Sequence, residues 1–238
     1  MGRKSIIIVA FLFVTLRSIA QSGSSTFEFI ENKGQWESAV KFRGDLAAGA
    51  FYLQARGFTV LQHNHQDLSR IYESTHKGLR SDKGRNENED RVNGNNFTLR
   101  SHAYRVTFEG GSEQAIVLPD KVLPTYNNYL IGNDPSKWQK NVKIFQAVTY
   151  KNVYPNIDVR YYSENGKLKY DFIVYPGGDA SRIAMKYDGA TKLSIKNNEL
   201  IIKTTVGDVK ELYPYTFQFD PTKGRKEIEC KYVLVGGN

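Results

Sequence analysis

Apolar and polar residues alternate with a period of two along most of the chain after residue 26, the mark of half-buried strands rather than helices. The pattern is clearest between Ile157 and Val174. At its centre Asn165-Gly166 is the pair best suited to a type I′ turn, whose two central residues are left-handed. With that pair at the turn, Glu164 faces Lys167 and every other partner is set. Ile157 then meets Val174, Val159 meets Phe172 and Tyr161 meets Tyr170, which makes one apolar face. On the other face Tyr162 meets Lys169, and Arg160 meets Asp171 as a structural ion pair of the hairpin. Each favourable cross-strand pair contributes about 0.2–1 kcal/mol, and a one-residue slip would turn the apolar set outward. A second hairpin centres on Asn197-Asn198, with Leu193, Ile195, Leu200 and Ile202 on one face and Lys196 opposite Glu199.

Shorter segments fit the same period. Val40–Phe42, Ala50–Leu53, Gly57–Leu61, His102–Phe108 and Ile228–Leu234 read as strands, with turns at Gly44-Asp45, Arg56-Gly57 and Asp220–Gly224. Asp134 is placed to cap a short helical turn that opens with Pro135, after which Trp138 folds back on the sheet. From about His65 to Asn96 the chain is polar and reads as a surface loop insertion, with a brief helix near Leu68–Tyr72. Nowhere does a 3.6-residue period call for a substantial helix. The predicted fold is all-β, an antiparallel β-sandwich or two packed β-sheets over residues 27–238, with two subdomains conceivable on either side of residues 112–125.

The first twenty residues depart from this pattern. Arg3 and Lys4 precede an apolar run from Ser5 to Leu16, and Ser18-Ile19-Ala20 sets small residues at a cleavage site. This is the order of a secretory signal peptide, 1–20, with Gln21 as the new N-terminus and 21–26 as a Ser/Gly-rich tether. A run of about a dozen residues is too short to span a bilayer, which needs about 20. No membrane span is expected after cleavage. Loss of Arg3, Lys4 and Arg17 takes three from the formal charge of +8 and leaves +5. That surplus is spread along the chain without an arginine-rich helix or basic-aromatic pattern, so no nucleic-acid partner is expected. One cysteine, Cys230, excludes an intramolecular disulfide; it shares the phase of Ile228, Tyr232 and Leu234 and reads as a small core residue.

Few residues suggest chemistry. His63 and His65, two apart on a strand, are candidate metal ligands, with His76 and His102 as further imidazoles; the plain reading is a polar strand end. Asp158 and Asp171 form a candidate carboxylate pair for glycoside chemistry, but Arg160 already gives Asp171 a structural partner. Trp36 and Trp138 are the candidate ligand-binding residues, as aromatic platforms for sugars, although aromatics also build β cores. There is no phosphate loop, nucleophile elbow or zinc-protease helix. No catalytic residues and no cofactor are expected.

Four stretches are distinctive: Phe29-Ile30-Glu31-Asn32-Lys33-Gly34-Gln35-Trp36, Tyr129–Trp138, Asn152-Val153-Tyr154-Pro155-Asn156-Ile157-Asp158 and Leu168–Asp179. With them the chain resembles an N-terminal β-rich domain of unknown function from large Bacteroidota cell-surface proteins. Such proteins often carry seven-bladed β-propeller-type repeats and a gliding motility-associated C-terminal domain. The resemblance implies export to the cell surface or beyond, but no catalytic residues to transfer. The sequence ends after Val235-Gly236-Gly237-Asn238 without those modules, which keeps the periplasm as an alternative location. The expected function is a non-catalytic structural or interaction module, partnered by other β modules or by surface glycans. The alternatives are a carbohydrate-binding module or degraded glycosidase-like domain, and a metal-dependent hydrolase built on His63 and His65.

Overall fold

A computed structural model of the chain describes residues 5–13, 27–77 and 97–236. Strands β1 (Ser5–Phe13), β2 (Phe29–Glu31), β3 (Phe42–Leu46), β4 (Gly49–Gln54) and β5 (Gly57–His63) precede one helix, α1 (His65–Lys77). Next come β6 (Ser101–Phe108), β7 (Ile116–Tyr129), β8 (Gln139–Tyr154), β9 (Ile157–Glu164) and β10 (Lys167–Val174). β11 (Met185–Asp188), β12 (Lys192–Lys196), β13 (Glu199–Thr204), β14 (Gly207–Asp220) and β15 (Gly224–Ile228) follow.

All described pairings are antiparallel, and β8 joins two curled sheets. Its first half pairs with β2 at Ile144 and Phe145, its second half with β9 from Ala147 onward. β7 runs along its other edge past both. One sheet continues from β2 through β3, β4, β5 and β6 to β11; the other continues from β9 through β10, β1, β14 and β13 to β12. Their inner faces meet through rings: Phe51 lies 6.1 Å from Tyr161, Phe58 5.7 Å from Tyr170 and Phe108 5.3 Å from Phe172. This is the all-β, two-sheet fold that the alternation predicts. One core cluster draws residues from both sheets and from both sides of residues 112–125, which lie in and just before β7.

The two hairpins have the predicted registers. β9 and β10 pair from Glu164↔Lys167 to Ile157↔Val174, with Arg160 the partner of Asp171. β12 and β13 pair from Lys196↔Glu199 to Lys192↔Lys203. The turn residues carry the required positive φ, 53° and 72° at Asn165 and Gly166, 53° and 62° at Asn197 and Asn198. Ile157, Val159, Tyr161, Tyr170, Phe172 and Val174 are all buried. At about 1.5–3 kcal/mol for each large apolar side chain fully buried, this face outweighs the cross-strand pairs that align it.

Four local expectations are corrected. Gly44-Asp45 is no turn but lies inside β3, whose turn comes at the register pair Leu46↔Gly49. Glycine is needed there because a Cβ on Gly44 would sit 2.1 Å from the Phe27 ring. The helix is longer than a brief turn at Leu68–Tyr72 and runs for 13 residues. Its start is capped by Asn64, whose side-chain oxygen accepts from the Asp67 N–H at 3.1 Å. Its first turn is held by buried Asp67, which accepts from Nε and Nη2 of Arg100 at 2.8 Å each. A cap and one tertiary ion pair thus replace the apolar stripe that a sequence reading looks for. The last strand stops at Ile228 instead of reaching Leu234, which is exposed. From the pairing Thr216↔Ile228, a longer ladder would set Cys230 opposite Pro214, which has no N–H to give. Cys230 is accordingly half-buried and outside any strand. Trp138 does not fold onto the sheet; its indole N–H donates to Gly132 O at 3.1 Å within its own loop.

The apolar run read as the leader is described over Ser5–Phe13, where it forms β1 between β10 and β14. The proposed cleavage point, the tether 21–26 and most of the polar insertion lie outside the described residues. No described helix is long and apolar enough to cross a membrane.

Candidate functional site

The strongest convergence of buried ionisable groups was not among the predicted ones. It centres on Glu211 of β14, whose side chain is fully buried. Tyr170 of β10 donates to its Oε2 at 2.7 Å, and Tyr187 of β11 donates to its Oε1 at 2.9 Å. The phenol of Tyr232 also acts on the carboxyl and donates to Leu212 O at 3.1 Å. Burial pushes Glu211 up to about 7, and the phenol hydrogen bonds only partly oppose that. Burial likewise drives the Tyr170 and Tyr187 phenols far above their ordinary value. An open groove of about 1590 Å³ lies beside the network, lined among others by Phe172, Met185, Tyr187, Leu193 and Tyr232. A carboxyl near neutrality beside a groove is a recognised signature of acid–base chemistry. Here, however, phenols occupy both its oxygens, so the geometry makes it a satisfied polar network that ties β10, β11 and β14 together. A charged residue in the inward phase of Val209 was the available sequence signal.

The carboxylates read from the sequence have separate partners. Asp158 is buried, accepts from Lys151 Nζ at 2.6 Å and from the Asn152 N–H at 2.9 Å. Asp171 accepts from the Tyr162 hydroxyl at 3.2 Å, and burial raises it to about 6. Arg160 is its register partner, yet the guanidinium donates to Asp120 of β7 at 3.0 Å. β7, from beyond the hairpin, supplies the carboxylate nearest the arginine head.

His63 and His65 do not share a strand face. His63 ends β5 with Nδ1 2.7 Å from Ser101 Oγ, whereas His65 opens α1 with Nδ1 3.2 Å from Ser69 Oγ. Asn64, the helix cap, separates them. His102 is bound elsewhere, 2.8 Å from Gly189 O. Among the described residues no three His, Cys, Asp or Glu side chains form a metal-binding group.

Trp36 and Trp138 belong to one end of the β7–β8 hairpin. Trp36 packs against Ile30, Val142 and Ile144, with Tyr129 edge-on at 5.4 Å and Arg43 over its ring at 5.6 Å. Trp138 precedes Gln139, the register partner of Tyr129. Both indoles are half-buried.

The distinctive stretches are turn-building devices. The Asn32 side chain donates to the carbonyls of Trp36, Glu37 and Val40 and accepts from the N–H groups of Gly34 and Trp36. Asp134 and Asp179 cap matching single 3-10 turns, accepting from the Ser136 and Ser181 N–H at 3.0 Å each. Asp158 closes the β8–β9 corner. A family model described as a domain of unknown function (DUF7948) matches residues 29–238. Comparison with curated proteins and with solved structures finds no match.

Proposed function

We propose that this chain, which belongs to the DUF7948 family of domains of unknown function over residues 29–238, is a non-catalytic structural or interaction module of an exported bacterial surface protein. The observation that carries this reading is the use made of the distinctive motifs. Asn32, Asp134, Asp158 and Asp179 direct their polar atoms into turns and caps, which leaves them building the scaffold rather than facing a substrate. The apolar run behind Arg3 and Lys4, with small residues before Gln21, supports export. The resemblance to Bacteroidota surface proteins supports a place among other β modules. β7 supports a contact role as well. Among the described strands it pairs only with β8, and Ile116, Leu118, Val122 and Tyr126 on it are exposed.

The competing reading is glycan binding through Trp36 and Trp138. Arg43 over the Trp36 ring speaks against a free stacking face there. A glycan array probed with the exported, processed protein decides between the two. Absence of reproducible binding supports the structural module. Micromolar binding lost in Trp36→Ala or Trp138→Ala, with unchanged unfolding, would overturn it. Surface proteolysis of intact producing cells tests the location.

A further inference from the structure

The family match begins at residue 29, yet one of the sheets it covers is completed by a strand from outside it. β1 is the only described neighbour of β10 opposite β9, and of β14 opposite β13 and β15. β10 and β14 are not hydrogen-bonded to each other; both run antiparallel to β1, hence parallel to one another. Residues 29–238 therefore enclose a gap one strand wide.

The two rims of this gap are also tied directly to each other. The Tyr170–Glu211 hydrogen bond links β10 to β14 across it at 2.7 Å. Its floor is core: Ile6, Ile8 and Ala10 have as register partners Val174, Phe172 and Tyr170, none more than 2 % exposed. On the β14 side the register shifts between Val9 and Phe11, which takes up Pro214 without a ladder hydrogen bond. Left empty, the gap would expose two rows of unpaired backbone groups over an apolar floor, a template for another strand.

Under the export reading, Ser5–Phe13 departs with the leader, so the inference rests on that reading. The stretch that would follow cleavage, Gln21–Thr26, has no Ile, Leu, Val or Phe to take its place. A second processed copy lacks the same strand, and its other described strands are already paired. We propose that the processed domain accepts, between β10 and β14, an extended apolar segment of about nine residues donated by a neighbouring module. The donor runs antiparallel to both rims and is uncharged at the positions held here by Ile6, Ile8 and Ala10. Backbone hydrogen bonds to two edges supply affinity, and the buried floor supplies selectivity.

The test exports the full chain from a bacterial host, establishes the N-terminus of the product by mass, and adds a peptide of residues 5–13 flanked by lysines. The expected result is processing near Gln21, slowed amide exchange in β10 and β14 on peptide addition, and a raised melting temperature. A peptide carrying Ile6→Asp and Ile8→Asp should bind at least about 100-fold more weakly, since each charge would take a register position opposite buried Val174 or Phe172. Strong protection of β10 and β14 before any peptide is added would overturn the proposal, as would equal binding by the Asp peptide. An exported product that retains Ser5–Phe13 would also overturn it, because the gap would be self-filled, while leaving export intact. Failure of export would overturn the functional reading itself, and the slot with it.

Discussion

β10 has two edges, and they are held in unlike ways. On one, β9 is joined to it by a two-residue turn, and all eight residues of β10 pair in the predicted register. On the other lies β1, which comes from the far N-terminus and brings no connecting turn. The first edge is specified locally, since turn chemistry and alternation agree and a slip would invert the apolar face. The second is specified only by what stands on either side of the gap, above all the Tyr170–Glu211 bond and the buried floor. The locally specified edge carries its partner with it through the turn; the other is the edge that the proposed donor would occupy.

Four experiments break or sharpen this contrast, from the largest effect down. Phe172→Ala removes a ring shared by the floor of the gap and the inter-sheet core, and should lower stability by about 3–5 kcal/mol in urea unfolding. Glu211→Gln tests the bridge across the gap through pH. The unfolded carboxyl releases its proton near its ordinary value, 4.5, the native one only near 7. Between those values the folded state holds a proton that the unfolded state has lost, so stability falls as pH rises and the loss is complete above 7. The variant should flatten that slope and be more stable relative to the parent at pH 8 than at pH 4. An unchanged slope would show that Glu211 is not the group responsible.

Gly166→Val acts on the local edge alone. At φ 72° a β-branched residue is strained, and a cost of about 1–2 kcal/mol is expected, with faster amide exchange at the β9–β10 turn. Equal loosening of the β1 side would erase the distinction between the edges. The smallest effect concerns Arg160. A double-mutant cycle between Arg160→Ala and Asp120→Ala should give a coupling of about 0.2–1 kcal/mol, as for exposed pairs. The cycle with Asp171→Ala should give less, although Asp171 is the register partner.

Legibility in the sequence followed the same division. The hairpins at Asn165-Gly166 and Asn197-Asn198 were readable because left-handed turn residues and alternating strands are adjacent in the chain. Asp134 and Pro135 announced their 3-10 turn for the same reason. Gly44 was misread as a turn because the ring that demands a glycine there belongs to Phe27. The first turn of α1 depended on Arg100, and the end of β15 on Pro214, neither of them near in sequence to the element it controls. Among candidate site residues, His63 and His65 looked equivalent at a spacing of two until Asn64 placed one on a strand and the other on a helix. Glu211 could be suspected only from its phase, because the tyrosines that surround it come from three other segments.

By itself, then, the amino-acid order determined the strand alternation, the all-β class, two hairpin registers and the capped turns. Each rests on interactions between residues a few positions apart, where the local backbone leaves little choice. Tertiary structure alone decided that Arg160 bonds Asp120 and that Glu211 accepts from the phenols of Tyr170 and Tyr187. It also decided that the N-terminal apolar run occupies the place between β10 and β14. Those outcomes depend on which distant groups burial brings together, and a pattern of hydrophobic and polar positions does not encode that.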